Sequence, residues 1–176
     1  MRYQVETSFR EKLKGVLFVV GDITANEVEL LNAYHLLSSV SRKEHHDYMR
    51  YLLCKQYKRE VMAAVFNNKL LHNLFHSLLH IAEKEDMDLE QVAKRVFQIR
   101  ELYYAIFEQV HCKYSEHVED LDSNETVKEF GRNSFNNLER AIRGKNQDLI
   151  RYEIINFYQE FNKLSKKKDA RNIVAV

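Results

Sequence analysis

Not one of the 176 residues of the chain is proline, and only four are glycine. Proline removes a hydrogen bond from a helix and clashes with the preceding turn, so a chain without it can be helical almost from end to end. The apolar residues recur at intervals of three and four, which is the spacing of one helix face. The sequence therefore predicts an all-α fold, a single-domain bundle of about seven helices.

The limits of these helices follow from the apolar spacing and from residues that favour helix ends. Each predicted helix carries one apolar face that has to be buried. In chain order, the seven faces lie within residues 9–20, 28–37, 49–65, 70–79, 92–110, 127–142 and 150–164.

The fifth helix is predicted to run near residues 89–118 and to lie at the centre of the bundle. Its apolar residues are 4, 3, 4, 3 and 4 positions apart, which is an unbroken seam. A helix of this extent is roughly 45 Å long, at about 1.5 Å per residue. The seam consists of Val92, Val96, Ile99, Tyr103, Ile106 and Val110.

Polar residues mark several helix ends. Residues 24–27 and 41–44 each match a capping box, so two helices joined by a short link are predicted to form a hairpin. Residues 67–68 are predicted to separate the third helix from the fourth. Asp88 is predicted to cap the fifth helix, and Gly144 is predicted to end the sixth.

Composition and charge are typical of a soluble globular protein. Hydrophobic residues make up 45% of the chain, and the net charge of +1 creates no overall field that would attract nucleic acid or acidic lipid. The apolar run over residues 15–20 is too short to span a bilayer, so no membrane insertion is predicted. The two cysteines form no disulfide framework, which favours a cytoplasmic location.

No composition shift or linker divides the chain. One helical domain is therefore predicted over residues 1–165. Residues 166–176 are predicted to form a tail that is first basic and then apolar.

Histidines are the residues in this sequence that most suggest a metal or haem site. His72, His76 and His80 recur every four residues on one stripe of a helix, and Glu108 with His111 forms a Glu-x-x-His element. His72, His76, Glu108 and His111 are therefore the candidate ligands of a metal or haem site. A di-iron bundle needs a second such element, so we favour the interpretation that the stripe is a polar border. A pH-sensing role is a third alternative.

Motifs for catalysis or for cofactor binding are not found. The sequence contains no GxxxxGK[ST], GxGxxG, GxSxG or HExxH pattern and no cysteine-rich zinc spacing. His111 and Cys112 are adjacent, but neighbouring residues of a helix do not face each other. We therefore expect no enzyme activity and no bound cofactor.

Residues 125–140 resemble a helix-turn-helix, with Gly131 at the position where the first helix would pack. About two residues of the turn are missing, so the plain interpretation is one continuous helix that is weak at Gly131. The tail lysines, together with Arg143 and Lys145, could contact phosphates. DNA binding is thus kept as a further alternative, although nucleic acid is not the expected partner.

Two other segments resemble parts of known families. Residues 30–37 and 48–53 are similar to the helical hairpin that follows the DNA-binding domain of many small bacterial repressors, which implies self-association. Residues 87–100 are similar to the start of a helix in non-haem globin-like sensor domains of stress and sporulation regulators. Neither segment is long enough to assign a family, and no functional residue is transferred from either.

The predicted function is that of a non-enzymatic regulatory protein that acts through helical protein–protein contacts and self-associates, for example as a homodimer. Amphipathic faces are abundant, and tyrosine and phenylalanine are frequent in binding surfaces. The alternative is a sensor domain that holds a small molecule, metal or haem in an interior pocket. The candidate interface residues are Tyr34, Leu37, Met49, Leu52 and Leu53.

Overall fold

The computed structural model describes residues 24–117 and 125–166, and all regular structure within these ranges is helical. The predicted all-α fold is confirmed. The predicted helix over residues 9–20 and the tail after Lys166 lie outside the described residues, so six helices are described rather than seven. They are α1 (Ala25–Leu36), α2 (Ser39–Phe66), α3 (Lys69–Ala82), α4 (Leu89–Ser115), α5 (Glu125–Arg143) and α6 (Gln147–Lys166).

The chain divides into two compact units, unit 1 over residues 1–47 and unit 2 over residues 48–176. Unit 1 contains α1 and the beginning of α2. Unit 2 contains the rest of α2 and the helices α3 to α6. The single domain predicted over residues 1–165 concerns both units together and stays a prediction.

Three predicted helix starts are confirmed, each by a side chain that accepts backbone N–H groups. Thr24 Oγ1 accepts from the Glu27 N–H at 3.3 Å, and Glu27 Oε2 accepts from the Thr24 N–H at 2.7 Å, which completes a capping box before α1. Asn68 caps α3 and Asp88 caps α4, since the side-chain oxygen of each accepts two N–H groups of the first turn.

Two other helix ends differ from the prediction. The capping box predicted over residues 41–44 is wrong, because α2 begins at Ser39 and the Oγ of Ser38 accepts the N–H of Ser41 at 3.2 Å. Ser41 therefore lies inside the first turn. Gly144 follows α5 directly, as predicted, but the residue in the left-handed conformation is Lys145, with a φ of 50°.

Helices α3 to α6 of unit 2 form a ring in which each helix packs against the next and α6 packs against α3. Phe75 in the middle of α3 meets Phe157 of α6 with ring centroids 4.9 Å apart, whereas Ala82 at the end of α3 meets Arg151 near the start of α6. These two helices are therefore antiparallel. The whole ring is an up-down-up-down four-helix bundle with short connections.

The last turns of α2 join this bundle. Phe66, the final residue of α2, contacts three helices. Its ring centroid lies 6.4 Å from that of Tyr103 on α4, 5.5 Å from that of Phe130 on α5 and 5.2 Å from that of Phe161 on α6. Three more buried residues of α2 belong to the same core: Tyr57, Val61 and Val65.

The long helix α4 carries the predicted seam, with one difference. Ile106 is half-buried, and the adjacent Phe107 is buried in its place. A straight helix drifts by about 20° per heptad from a strict 3.5-residue repeat, so the buried stripe passes to the next residue after two heptads. The other five positions of the seam are confirmed as buried: Val92, Val96, Ile99, Tyr103 and Val110.

The segment that resembles a helix-turn-helix is one continuous helix, α5, as its plain interpretation predicts. Gly131 is required there because the ring of Tyr103 lies against it. A Cβ atom on Gly131 would come within 2.7 Å of Tyr103 Cε1. The buried hydroxyl of Tyr103 donates a hydrogen bond to the Val127 carbonyl oxygen at 2.7 Å, and burial raises the pKa of Tyr103. Gly131 is therefore a position of close helix packing, not a turn.

Truncation of the α4 seam should destabilise the protein strongly. Because Ile99 is buried, Ile99→Ala is expected to lower the free energy of unfolding by ~2–5 kcal/mol through lost burial and a residual cavity. Lys94→Ala on the exposed side of α4 should stay within about ±0.5 kcal/mol. Urea unfolding of both variants provides the measurement, and equally small effects would contradict a buried seam.

Replacement of the two described glycines should have opposite results. Gly131→Ala gains up to about 1 kcal/mol of helix propensity but forces the Tyr103 ring to move, and overpacking costs about 1–3 kcal/mol. We therefore expect a net loss of stability. In Gly144→Ala the new Cβ meets only backbone oxygens at 3.5 Å, an ordinary contact, so a small gain is expected. A gain for both variants in thermal melts would show that Tyr103 does not depend on Gly131.

Candidate interaction surface

Two of the three histidines on the α3 stripe form hydrogen bonds with neighbouring groups. His72 Nε2 donates a hydrogen bond to the Phe66 carbonyl oxygen at 2.9 Å, and His76 Nε2 lies 3.0 Å from the Tyr158 hydroxyl on α6. His80, one turn further along α3, is exposed. The stripe therefore lies along the border of the bundle, with its first two members bonded to protein groups.

The two predicted metal ligands on α4, Glu108 and His111, do not lie beside the histidines of α3. Glu108 is exposed, and His111 Nδ1 lies 3.1 Å from the hydroxyl of Tyr57 on α2. Over residues 24–117 and 125–166, no group of three or more histidine, cysteine, aspartate or glutamate side chains is placed to hold a metal ion. The structure thus does not bring the α4 pair together with His72 and His76. His111 lies beside Tyr57, whereas His72 and His76 are bonded to the Phe66 carbonyl and to the Tyr158 hydroxyl.

A polar cluster joins α2 to α4 at the edge of the core. The Glu60 carboxylate accepts a hydrogen bond from Lys113 Nζ at 2.8 Å and another from the Tyr114 hydroxyl. Lys113 and, to a lesser extent, Tyr114 hold the pKa of Glu60 below its ordinary value. Burial raises the pKa of Tyr57, whose hydroxyl faces His111. These contacts have a structural role, because they fix the last turns of α2 against α4.

Helix α1 of unit 1 leaves its apolar residues uncovered in the described part of the chain. None of its 12 residues is buried, and Leu36 is 89% exposed. An isolated helix of this length is marginal in water, so packing against another surface has to stabilise it. The exposed apolar residues of α1 are Val28, Leu30, Leu31 and Leu36.

Contacts inside unit 1 hold the end of α1 beside the beginning of α2, and the predicted hairpin stays a prediction. The Arg42 guanidinium donates to the His35 carbonyl oxygen at 2.7 Å and lies 5.5 Å from the centroid of the Tyr34 ring. The ring of His45 meets the same tyrosine with centroids 5.5 Å apart. Tyr34 is consequently half-buried, and Leu37 is half-buried as well.

The part of α2 that begins unit 2 carries a second exposed apolar surface, the α2 stripe, formed by Tyr48, Met49, Tyr51 and Leu52. The two tyrosines are each 60% exposed, Met49 is 46% exposed and Leu52 is 41% exposed. The tyrosine rings stack with centroids 6.3 Å apart. Leu53, by contrast, packs against the core.

The sequence-predicted interface residues are therefore only partly on the surface. Met49 and Leu52 are exposed, whereas Tyr34, Leu37 and Leu53 are half-buried. Sequence reasoning missed Tyr48 and Tyr51. Their spacing of three residues beside Leu52 was the available signal, since it places all three side chains on one helix face.

A shallow cleft of about 240 Å³ lies between α4 and α5. Val96, Phe97 and Ile142 line its apolar part, and Arg100 pairs with Glu139 at its rim. The cleft is open to solvent, and its volume is below the range of about 300–1,000 Å³ that is usual for ligand pockets. It is a weaker candidate site than the exposed surfaces of α1 and α2.

Comparison with protein-family models, with curated proteins and with solved structures finds no match to this chain. Among the helices that the structure describes, none combines the length and the apolar character needed to cross a bilayer. The exposed surfaces of α1 and of the α2 stripe are therefore the features on which a functional proposal can be based.

The Glu60 cluster should make stability depend on pH. The folded pKa of Glu60 is lowered, so its stabilising contribution is fully present above the ordinary value of 4.5 and is lost as the pH falls through the lowered value. Glu60→Gln should therefore cost about 0.2–1 kcal/mol at neutral pH, and the difference from wild type should shrink in acid.

Glu101→Gln provides the control, because Glu101 is an exposed carboxylate on α4, the helix that carries the Glu60 partners Lys113 and Tyr114. This control variant should leave the free energy of unfolding nearly unchanged both at neutral pH and in acid. A Glu60→Gln effect that is constant from neutral pH into acid would contradict the role of the ionised carboxylate.

Proposed function

We propose that the protein is a non-enzymatic regulatory protein of the cytoplasm that acts through helical protein–protein contacts and self-associates. The observation that supports this proposal is the contrast between the covered core of unit 2 and the uncovered apolar residues of α1 and the α2 stripe. Neighbouring apolar side chains that remain exposed are typical of interaction sites. Tyrosine, which supplies half of the α2 stripe, is among the residues that most often dominate binding energy.

The alternative functions have less support. A metal or haem sensor would use the histidine stripe, but His72 and His76 are bonded to the Phe66 carbonyl and to Tyr158. A helix-turn-helix reader of DNA would need a turn near Gly131, where α5 is continuous. Self-association requires only the apolar surfaces that are already present.

The oligomeric state of the full chain tests the proposal. Light scattering at micromolar concentration should give a mass above the 21.1 kDa of one chain. Leu52→Ser should lower that mass, because it removes apolar area from the α2 stripe. The control is Phe97→Ser, a change at a side chain that is 62% exposed on α4, and it should leave the mass unchanged.

A monomer over the whole concentration range would refute self-association. If Phe97→Ser lowered the mass as much as Leu52→Ser does, the α2 stripe would not be the contact surface.

A further inference from the structure

We infer that two copies of the chain pair through antiparallel α2 helices, with the α2 stripe of each copy at the centre of the contact. This inference rests on the proposed self-association and specifies its surface and orientation. Charge decides the orientation. The acidic residues that precede the stripe in one copy lie against the basic residues that follow it in the other.

Tyr48 and Leu52 of the α2 stripe lie on the side of the helix that faces away from the core of unit 2. Tyr48 precedes the buried Tyr57 by nine residues, and Leu52 precedes the buried Val61 by the same interval. Nine residues amount to about two and a half turns, which places the members of each pair on opposite sides of the helix. The stripe is therefore not a loose part of the core but a separate apolar surface.

Along the face of α2 that carries Tyr48 and Leu52, the charges before and after the stripe are opposite in sign. The exposed Lys43 also precedes the stripe, one residue outside this face. Glu44 and Asp47 precede the stripe in the sequence, whereas Lys55, Lys58 and Arg59 follow it. All five side chains are exposed, and none of them forms an ion pair within residues 24–117 and 125–166. These charges are thus available to a partner.

The spacing puts these charges in line with the stripe. Glu44, Tyr48, Leu52, Lys55 and Arg59 follow one another at intervals of three or four residues in a continuous helix, which is the spacing of one face. Along this face the order is acidic, apolar and basic. When a second copy of the helix lies antiparallel to the first, the acidic end of each face lies opposite the basic end of the other.

A twofold axis near Tyr51 and Leu52 gives the matching contacts. Glu44 of one copy then lies opposite Arg59 of the second copy, and Asp47 lies near Lys55. By symmetry each contact occurs twice. In a parallel pair every one of these residues would lie opposite its own copy, so like charges would repel along the whole face. A second copy in antiparallel orientation is consequently the occupant that the charges favour.

Charge reversal tests this arrangement in the full chain. The first variant carries Glu44→Lys and Asp47→Lys, the second carries Lys55→Glu and Arg59→Glu, and the third combines all four changes. The first and second variants should each raise the dimer dissociation constant at least about tenfold, because repulsion replaces attraction at four contacts. The third variant should restore the wild-type constant to within about threefold, and a mixture of the first two should form heterodimers.

Sedimentation equilibrium measures the association, and circular dichroism checks that each variant keeps its helix content. The matched control reverses two exposed charges on α4, Lys94→Glu with Glu101→Lys, and should leave association unchanged. If one of the first two variants proves poorly folded, the other one and the fourfold variant still decide the question.

The outcomes separate this inference from the proposed function. A monomeric wild type would refute the proposed function itself. If the wild type self-associates and the first and second variants have the same dissociation constant as the wild type, only the α2 pairing is overturned. Folded first and second variants that associate weakly, with no recovery in the fourfold variant, would overturn the antiparallel orientation.

Discussion

The packing of aromatic rings at the centre of the bundle is the constraint on which the rest of unit 2 depends. Phe66 meets Tyr103, Phe130 and Phe161 in three edge-to-face contacts, the geometry that aromatic pairs prefer. Tyr103 in turn can approach α5 only because Gly131 has no side chain. Since these rings come from four different helices and interiors are close-packed, their contacts set the spacing and the register of those helices together.

Local sequence signals were sufficient for the helices and for most of the core. The caps at Thr24 and Asp88 could be predicted because each lies within three residues of the N–H groups that it accepts. Asn68 was predicted only as part of a break between helices, and it caps α3 in the same way. Where two equivalent residues compete within one turn, local reasoning fails. Ser38 and Ser41 carry the same hydroxyl, so the sequence alone does not show which of them caps α2. In the structure Ser38 precedes the first turn and accepts the Ser41 N–H.

Contacts between segments that are distant in the sequence could not be predicted from local residue patterns. Arg151 of α6 donates to the carbonyl oxygens of Ala82 and Lys84 at 2.9 and 2.8 Å, and so satisfies backbone acceptors at the end of α3. Its spacing on α6 does not indicate this role. The candidate interface was predictable only in part for the same reason. Leu53 and Leu52 are neighbours of equal hydrophobicity, and which of them turns towards the core depends on how the last turns of α2 meet α4.

The two sides of α2 differ in what covers them among the described residues. One helix has a single side that faces a given bundle, and in unit 2 Tyr57 and Val61 already occupy it. Tyr48 and Leu52, on the other side, can be covered only from outside the four-helix ring. On the same face, Glu44 precedes them and Arg59 follows them, so a parallel pair of helices would bring like charges together. This order of charges along an exposed apolar face is the physical basis of the proposed antiparallel pairing.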